Sequence, residues 1–168
     1  MKPKQIVLIT TLVLILIIII WIIITGISKS NQKAIDEIYI YHSAFGQKFP
    51  EYKIDFKNQA LWEFTSDCCE NYIPRDSSLE NEGFQFVKEL SEYKIEKFLA
   101  ESDKYRLTAW QEHYENNSIM DGHQWGMIIT FSDASTLKVF GSNEYPDNWK
   151  NMGLAFKNLT DLDILILN

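Results

Sequence analysis

The sequence predicts an α+β domain, an antiparallel sheet with two helices packed on one face in the order β-β-β-α-β-β-β-α, preceded by one transmembrane helix. Three observations lead there. Eleven of the 22 isoleucines fall within residues 6–27, which sets an apolar stretch apart from the rest of the chain. Apolar residues alternate at the strand period of two in several later segments, and two further segments place them along one helical face instead.

The charges divide in the same way. The first 26 residues hold only Lys2 and Lys4, while everything from Ile27 onward holds 14 Lys+Arg against 23 Asp+Glu, or 14 − 23 = −9. Residues 1–5 read as a cytoplasmic tail, 6–27 as the membrane helix, 28–33 as a polar connector and 34–168 as one acidic globular domain. At ~1.5 Å per residue the apolar run approaches the ~30 Å hydrocarbon core, and it is longer than a signal-peptide core, so it reads as an uncleaved signal anchor. Ile6, Ile15, Ile20, Trp21 and Ile24 mark this membrane anchor. The short tail with two lysines places the domain on the extracytoplasmic side of the cell membrane in a single-pass arrangement. Membrane lipid is then one partner and a protein is the other candidate, while an acidic surface argues against nucleic acid.

Within the domain, Ile38 and Ile40 alternate with Tyr39 and Tyr41, predicting a strand at about 35–42. Tyr52, Ile54 and Phe56, the Lys57-Asn58 turn and Leu61 to Phe64 predict a hairpin over 51–65. Residues 66–81 read as a loop holding Cys68 and Cys69, which are adjacent and therefore form no disulfide framework. Ser77 and Glu80 fit a capping box for a helix at about 79–101, with Phe84, Val87, Leu90, Ile95, Phe98 and Leu99 on its buried face. Arg106 to Tyr114 reads as a strand. Trp125, Met127, Ile129 and Phe131 mark one face of the next, and Leu137, Val139 and Phe140 return after a turn at residues 132–135. Asp147 is placed to cap a last helix whose Trp149, Met152, Phe156 and Leu159 share a face. Ile54-Asp55-Phe56 with Leu61 to Phe64 mirrors Ile129-Thr130-Phe131 with Leu137 to Phe140 after a one-residue gap, the kind of match an internal duplication leaves.

The residues Trp110, Asp121-Gly122, Trp125, Ile129 to Asp133 and Gly141 to Asn148 resemble, in that order, an uncharacterised domain family of exported or membrane-anchored Gram-positive bacterial proteins. Its pattern is an Asp-Gly turn, a Trp-led strand, a Phe-x-Asp-Gly turn and a Gly-x-Asn-x-Tyr-Pro segment, with Ala134 standing here where the turn glycine is usual. The resemblance covers roughly 50 of the 168 residues and implies no activity. Gly141 to Asn148 also has a direct physical reading: Gly141 ends a strand in a conformation closed to other residues, and Pro146 fixes the chain before the helix.

The candidate chemistry is sparse. Asn143, Glu144 and Tyr145 read as an exposed binding loop. His42, His113 and His123 are the three imidazoles, and they lack the short fixed spacing of a zinc motif, so no metal or other cofactor is expected. The favoured reading is a membrane-anchored, non-enzymatic module without catalytic residues that binds a protein or envelope ligand, an immunity-type inhibitor being one version. The alternative is an envelope hydrolase using His113, His123 and nearby carboxylates.

Overall fold

The computed structural model describes residues 13–19, 33–44, 47, 49–64, 83–119 and 122–165. The chain separates into two units, Met1–Ala34 and Ile35–Asn168. In the first, residues 13–19 are helical (α1) and exposed throughout. Among the described residues no helix is long and apolar enough to cross a membrane. The transmembrane helix expected over 6–27 is therefore not obtained: Ile15 lies in α1, whereas Ile6, Ile20, Trp21 and Ile24 lie outside the described residues. The single-pass placement, the lipid partner and the extracytoplasmic location all rested on that helix and are withdrawn with it.

The second unit is built on a seven-stranded sheet in the order β4-β3-β2-β1-β6-β7-β5. Its strands are β1 (Ile35–Ser43), β2 (Glu51–Asp55), β3 (Ala60–Phe64), β4 (Gln85–Glu89), β5 (His113–Glu115), β6 (Gln124–Phe131) and β7 (Thr136–Ser142); its helices are α2 (Glu92–Lys104) and α3 (Trp149–Thr160). The sheet is mixed rather than antiparallel, because β5 runs parallel to β7. The period-two alternation of β1 explains the layering. Ile38 and Ile40 face one side, where Ile54, Leu61, Trp125, Met127 and Ile129 join Phe98 of α2 and Met152 and Phe156 of α3 in the main core. Tyr39 and Tyr41 face the other side and pack with Ile128. Both helices thus cover one face, as burying their apolar stripes requires.

The two main hairpins turn alike. In β2–β3, Asp55 Oδ1 accepts from the Asn58 amide at 2.8 Å and Gln59 returns the chain at φ 53°. In β6–β7, Asp133 Oδ1 accepts from the Ser135 amide at 3.0 Å and Ala134 takes φ 63°. Ala134 holds the left-handed position usually given to glycine, at a steric cost borne by the turn. Ile54 stands opposite Leu61 and Ile129 opposite Leu137, the pairing that the one-residue gap implies.

Several expected elements differ. The helix placed at 79–101 starts at Glu92, capped by Ser91, whose Oγ accepts from the Lys94 amide at 3.4 Å; Ser77 and Glu80 lie outside the described residues. Gln85–Glu89 is instead an edge strand on β3. A helical count through Phe84, Val87 and Leu90 was available, but pairing with β3 satisfies the same backbone groups, and Leu90 enters the core from the β4–α2 junction. Arg106 to Tyr114 is not a strand: Arg106 is left-handed at φ 54°, Leu107–Ala109 forms a 3-10 turn, and only His113–Glu115 pairs. The α3 N-cap is Asn148 rather than Asp147, and its side chain serves the tertiary structure, accepting from Trp110 Nε1 at 2.9 Å and donating to the Tyr105 carbonyl. Gly141 sits inside β7 opposite Trp125 and is required by space, because a Cβ there would lie 1.9 Å from Trp125 Nε1. The left-handed residue of that segment is Asn143, at φ 57°.

Candidate acid–base site

The core-facing parity of β1 runs Ile38, Ile40, His42, so the strand that buries the two isoleucines also buries His42, 6% exposed. β6 is its antiparallel neighbour, with Trp125 opposite His42, and His123 lies just before β6. The segment after β7 closes on the same point. The Asn143 amide donates to the His123 carbonyl at 2.9 Å, and Trp125 Nε1 donates to the Glu144 carbonyl at 3.0 Å. Those bonds hold Tyr145 against three rings: it stacks on Trp125 at 6.3 Å and 10°, on His123 at 6.0 Å and 23°, and meets Trp149 at 5.0 Å. Phe49 meets both imidazoles from β1's outgoing loop, at 6.2 Å from His42 and 6.0 Å from His123.

The polar atoms form one chain. Tyr145 Oη is 2.8 Å from His123 Nδ1, His123 Nε2 is 3.0 Å from His42 Nδ1, and His42 Nε2 is 2.7 Å from the Ile164 carbonyl. A carbonyl oxygen only accepts, so His42 Nε2 carries a proton. Burial, and secondarily the neighbouring His123, pull His42 down to about 4, against the pull of the Ile164 bond; at neutral pH the ring is uncharged and its Nδ1 is an acceptor. His123 Nε2 must then donate. Burial lowers His123 as well, so its Nδ1 is free of a proton and accepts from the Tyr145 hydroxyl. One backbone carbonyl thereby sets the tautomers of two rings and the direction of every bond out to the phenol.

The three sequence candidates of the binding loop have separate positions. Asn143 is stitched to His123 and, through Nδ2, to the Ile119 carbonyl at 3.3 Å; Glu144 is exposed while its carbonyl is engaged; Tyr145 belongs to the chain. His113 does not join His123: it is exposed on β5 with its ring 6.5 Å from Phe140. His42 is the residue that sequence reasoning passed over, although its place in the Ile38–Ile40 alternation signals burial. The one carboxylate buried among the described residues, Glu51, is on the opposite face of the sheet, where it accepts from Tyr39. Among the described residues no group of three His, Cys, Asp or Glu could hold a metal ion.

A hydroxyl, a base and a group that orients the base, each within about 2.6–3.2 Å of the next, is the arrangement used to activate a nucleophile. The expectation of a non-enzymatic module without catalytic residues gives way to this arrangement. No family model, curated protein or solved structure matches the chain.

Proposed function

We propose that the chain is a hydrolase whose attacking group is the Tyr145 hydroxyl, with His123 as its base and His42 as the positioning residue behind it. The observation that carries the reading is the continuous chain from Tyr145 Oη to the Ile164 carbonyl, with links of 2.8, 3.0 and 2.7 Å. On an ester, Tyr145 Oη bonds to the carbonyl carbon while its proton passes to His123 Nδ1, and the imidazolium returns that proton to the departing alkoxide. Water then cleaves the aryl ester with His123 again as base, restoring the phenol. An imidazole held below its ordinary range does not remove a phenolic proton outright, so transfer accompanies bond formation. His42 Nδ1 accepts from His123 Nε2–H throughout, stabilising the transient cation and fixing the ring, as the third member of a triad does.

The test is hydrolysis of p-nitrophenyl acetate and butyrate by the full chain. Tyr145→Phe and His123→Gln should each lower kcat/KM by about 100-fold or more, within the usual contribution of such groups. His42→Gln should move the pH profile and lower kcat more than it changes KM, while His113→Ala should leave the rate unchanged. Absence of hydrolysis, or full activity in Tyr145→Phe, overturns the proposal.

A second reading draws on a different observation: Ile164 and Leu165 are each 1% exposed, and His42 holds this segment through the Ile164 carbonyl. If fastening that segment were the network's role, His42→Gln would lower stability and esterase activity would be absent.

A further inference from the structure

The registered pairs of β6 with β7 begin at Gln124, opposite Ser142, so His123 stands just outside the strand that carries it. Its backbone is held by the residue that follows Ser142: the Asn143 amide donates to the His123 carbonyl at 2.9 Å. Asn143 is left-handed at φ 57°, a conformation that asparagine accepts more readily than most residues. The chain leaves the extended run of β7 there, and two residues later Tyr145 Oη lies 2.8 Å from His123 Nδ1. One backbone hydrogen bond therefore joins the segment that carries the base to the segment that carries the attacking hydroxyl.

The Asn143 side chain secures the residues just before His123. Its Nδ2 donates to the Ile119 carbonyl at 3.3 Å. A Cβ on Gly122 would lie 1.5 Å from Asn143 Oδ1 and 2.4 Å from its Cγ, so the carboxamide fills the place that a side chain at 122 would take. Space is what requires glycine there, since Gly122 does not have a positive φ. The ring of His123 has to reach two partners at once, His42 at 3.0 Å and Tyr145 at 2.8 Å. A displacement of about 1 Å takes either link beyond hydrogen-bond distance, and misplacement on that scale is costly to a reaction.

We propose that Asn143 is a positioning residue that sets the separation of Tyr145 from His123 through its left-handed backbone and keeps it through the carboxamide laid on Gly122. The consequence for the reaction rests on the hydrolase reading, whereas the separation itself can be read without any substrate.

The experiment compares Asn143→Ala, Asn143→Gly, Gly122→Ala and the double variant Gly122→Ala/Asn143→Gly with the unaltered full chain. Three quantities are read: p-nitrophenyl acetate hydrolysis, nuclear Overhauser contacts between the stacked rings of Tyr145 and His123, and denaturant midpoints. Asn143→Ala, strained at this φ, should lower kcat about tenfold while KM changes by less than about twofold, and should weaken the ring contacts. Asn143→Gly keeps the turn and loses the carboxamide, for a fall of about threefold. Gly122→Ala, whose methyl displaces the carboxamide, should lose about tenfold, and the double variant should return to the level of Asn143→Gly, because the two substitutions act on one contact. That rescue separates positioning from a general loss of stability, which a second substitution would only deepen. If the unaltered chain hydrolyses nothing, the hydrolase reading falls and the ring contacts alone decide whether Asn143 sets the separation. A double variant no better than Gly122→Ala, ring contacts unaltered in Asn143→Ala, or effects confined to KM would overturn the proposal.

Discussion

Residues 161–164 join two polar clusters built on different physics. At one end, Asp161 lies in water between Lys88 and Lys94, fully ionised and held by charge. Three residues later the Ile164 carbonyl accepts from His42 and begins a chain of neutral, directional hydrogen bonds that ends at Tyr145. The exposed cluster tolerates charge because water screens it, and for the same reason exposed ion pairs contribute little to stability. The imidazole chain, buried at His42 and half-buried at His123 and Tyr145, disfavours charge, and its order depends on each imidazole having the right tautomer. The contrast teaches where sensitivity lies: the ionic end should respond to salt, the imidazole end to protons.

The largest expected effect lies in the apolar core rather than in either cluster. Phe98 is fully buried there, its ring 5.6 Å from Phe56 and 4.7 Å from Phe156. Phe98→Ala should destabilise the chain by about 3–5 kcal/mol, and Leu90→Ala by about 2–5, while exposed Glu92→Ala should leave the denaturant midpoint in place. Equal midpoints for the three would remove the core from the account.

Next comes acid. His42 is lowered from 6.5 to about 4, so between these values the unfolded chain binds the proton that the folded chain refuses. Its contribution to stability is complete above about pH 6.5 and is lost as pH falls toward 4, amounting to about 3 kcal/mol at ~1.4 kcal/mol per unit. His123, also lowered by burial, adds in the same direction. Unfolding midpoints measured across this range should fall in both low and high salt; a flat profile would contradict the neutral chain. His42→Leu should remove the dependence that belongs to His42 yet cost about 1–3 kcal/mol at neutral pH, because the Ile164 carbonyl and His123 Nε2–H lose a partner.

The smallest effect is expected at Asp161. Its carboxyl is held down to about 2 by Lys88 and Lys94, so these pairs persist until pH falls through that value. Asp161→Asn should shift the midpoint slightly at low salt and leave no difference at about 1 M. A large, salt-independent loss would show that the two clusters are not as different as their burial implies.

How much was legible follows the range of the interaction. The β1, β2–β3 and β6–β7 segments could be read because alternation and turn chemistry are local, and the Asp55 and Asp133 turns lie where the residues place them. Gln85–Glu89 could not, since its neighbours fit a helical face and only β3, more than twenty residues earlier, makes it a strand. At the candidate site, Tyr145 and His123 stood out individually as a loop aromatic and one of three imidazoles. His42 lies 81 residues from His123 and 122 from Ile164, separations that no spacing rule spans.

By itself the sequence determined the α+β class, the hairpins with their turns, the apolar faces that meet in the core, and the acidic balance, all consequences of residue type and of periods of 2 and 3.6. Only the tertiary structure decided that the sheet is mixed, that Gly141 yields space to an indole rather than bending the chain, and that two imidazoles and a phenol share one line of hydrogen bonds. The physical reason is that burial and partner geometry, which set a tautomer or lower a pKa, are properties of what surrounds a side chain, and strands distant in sequence supply those surroundings.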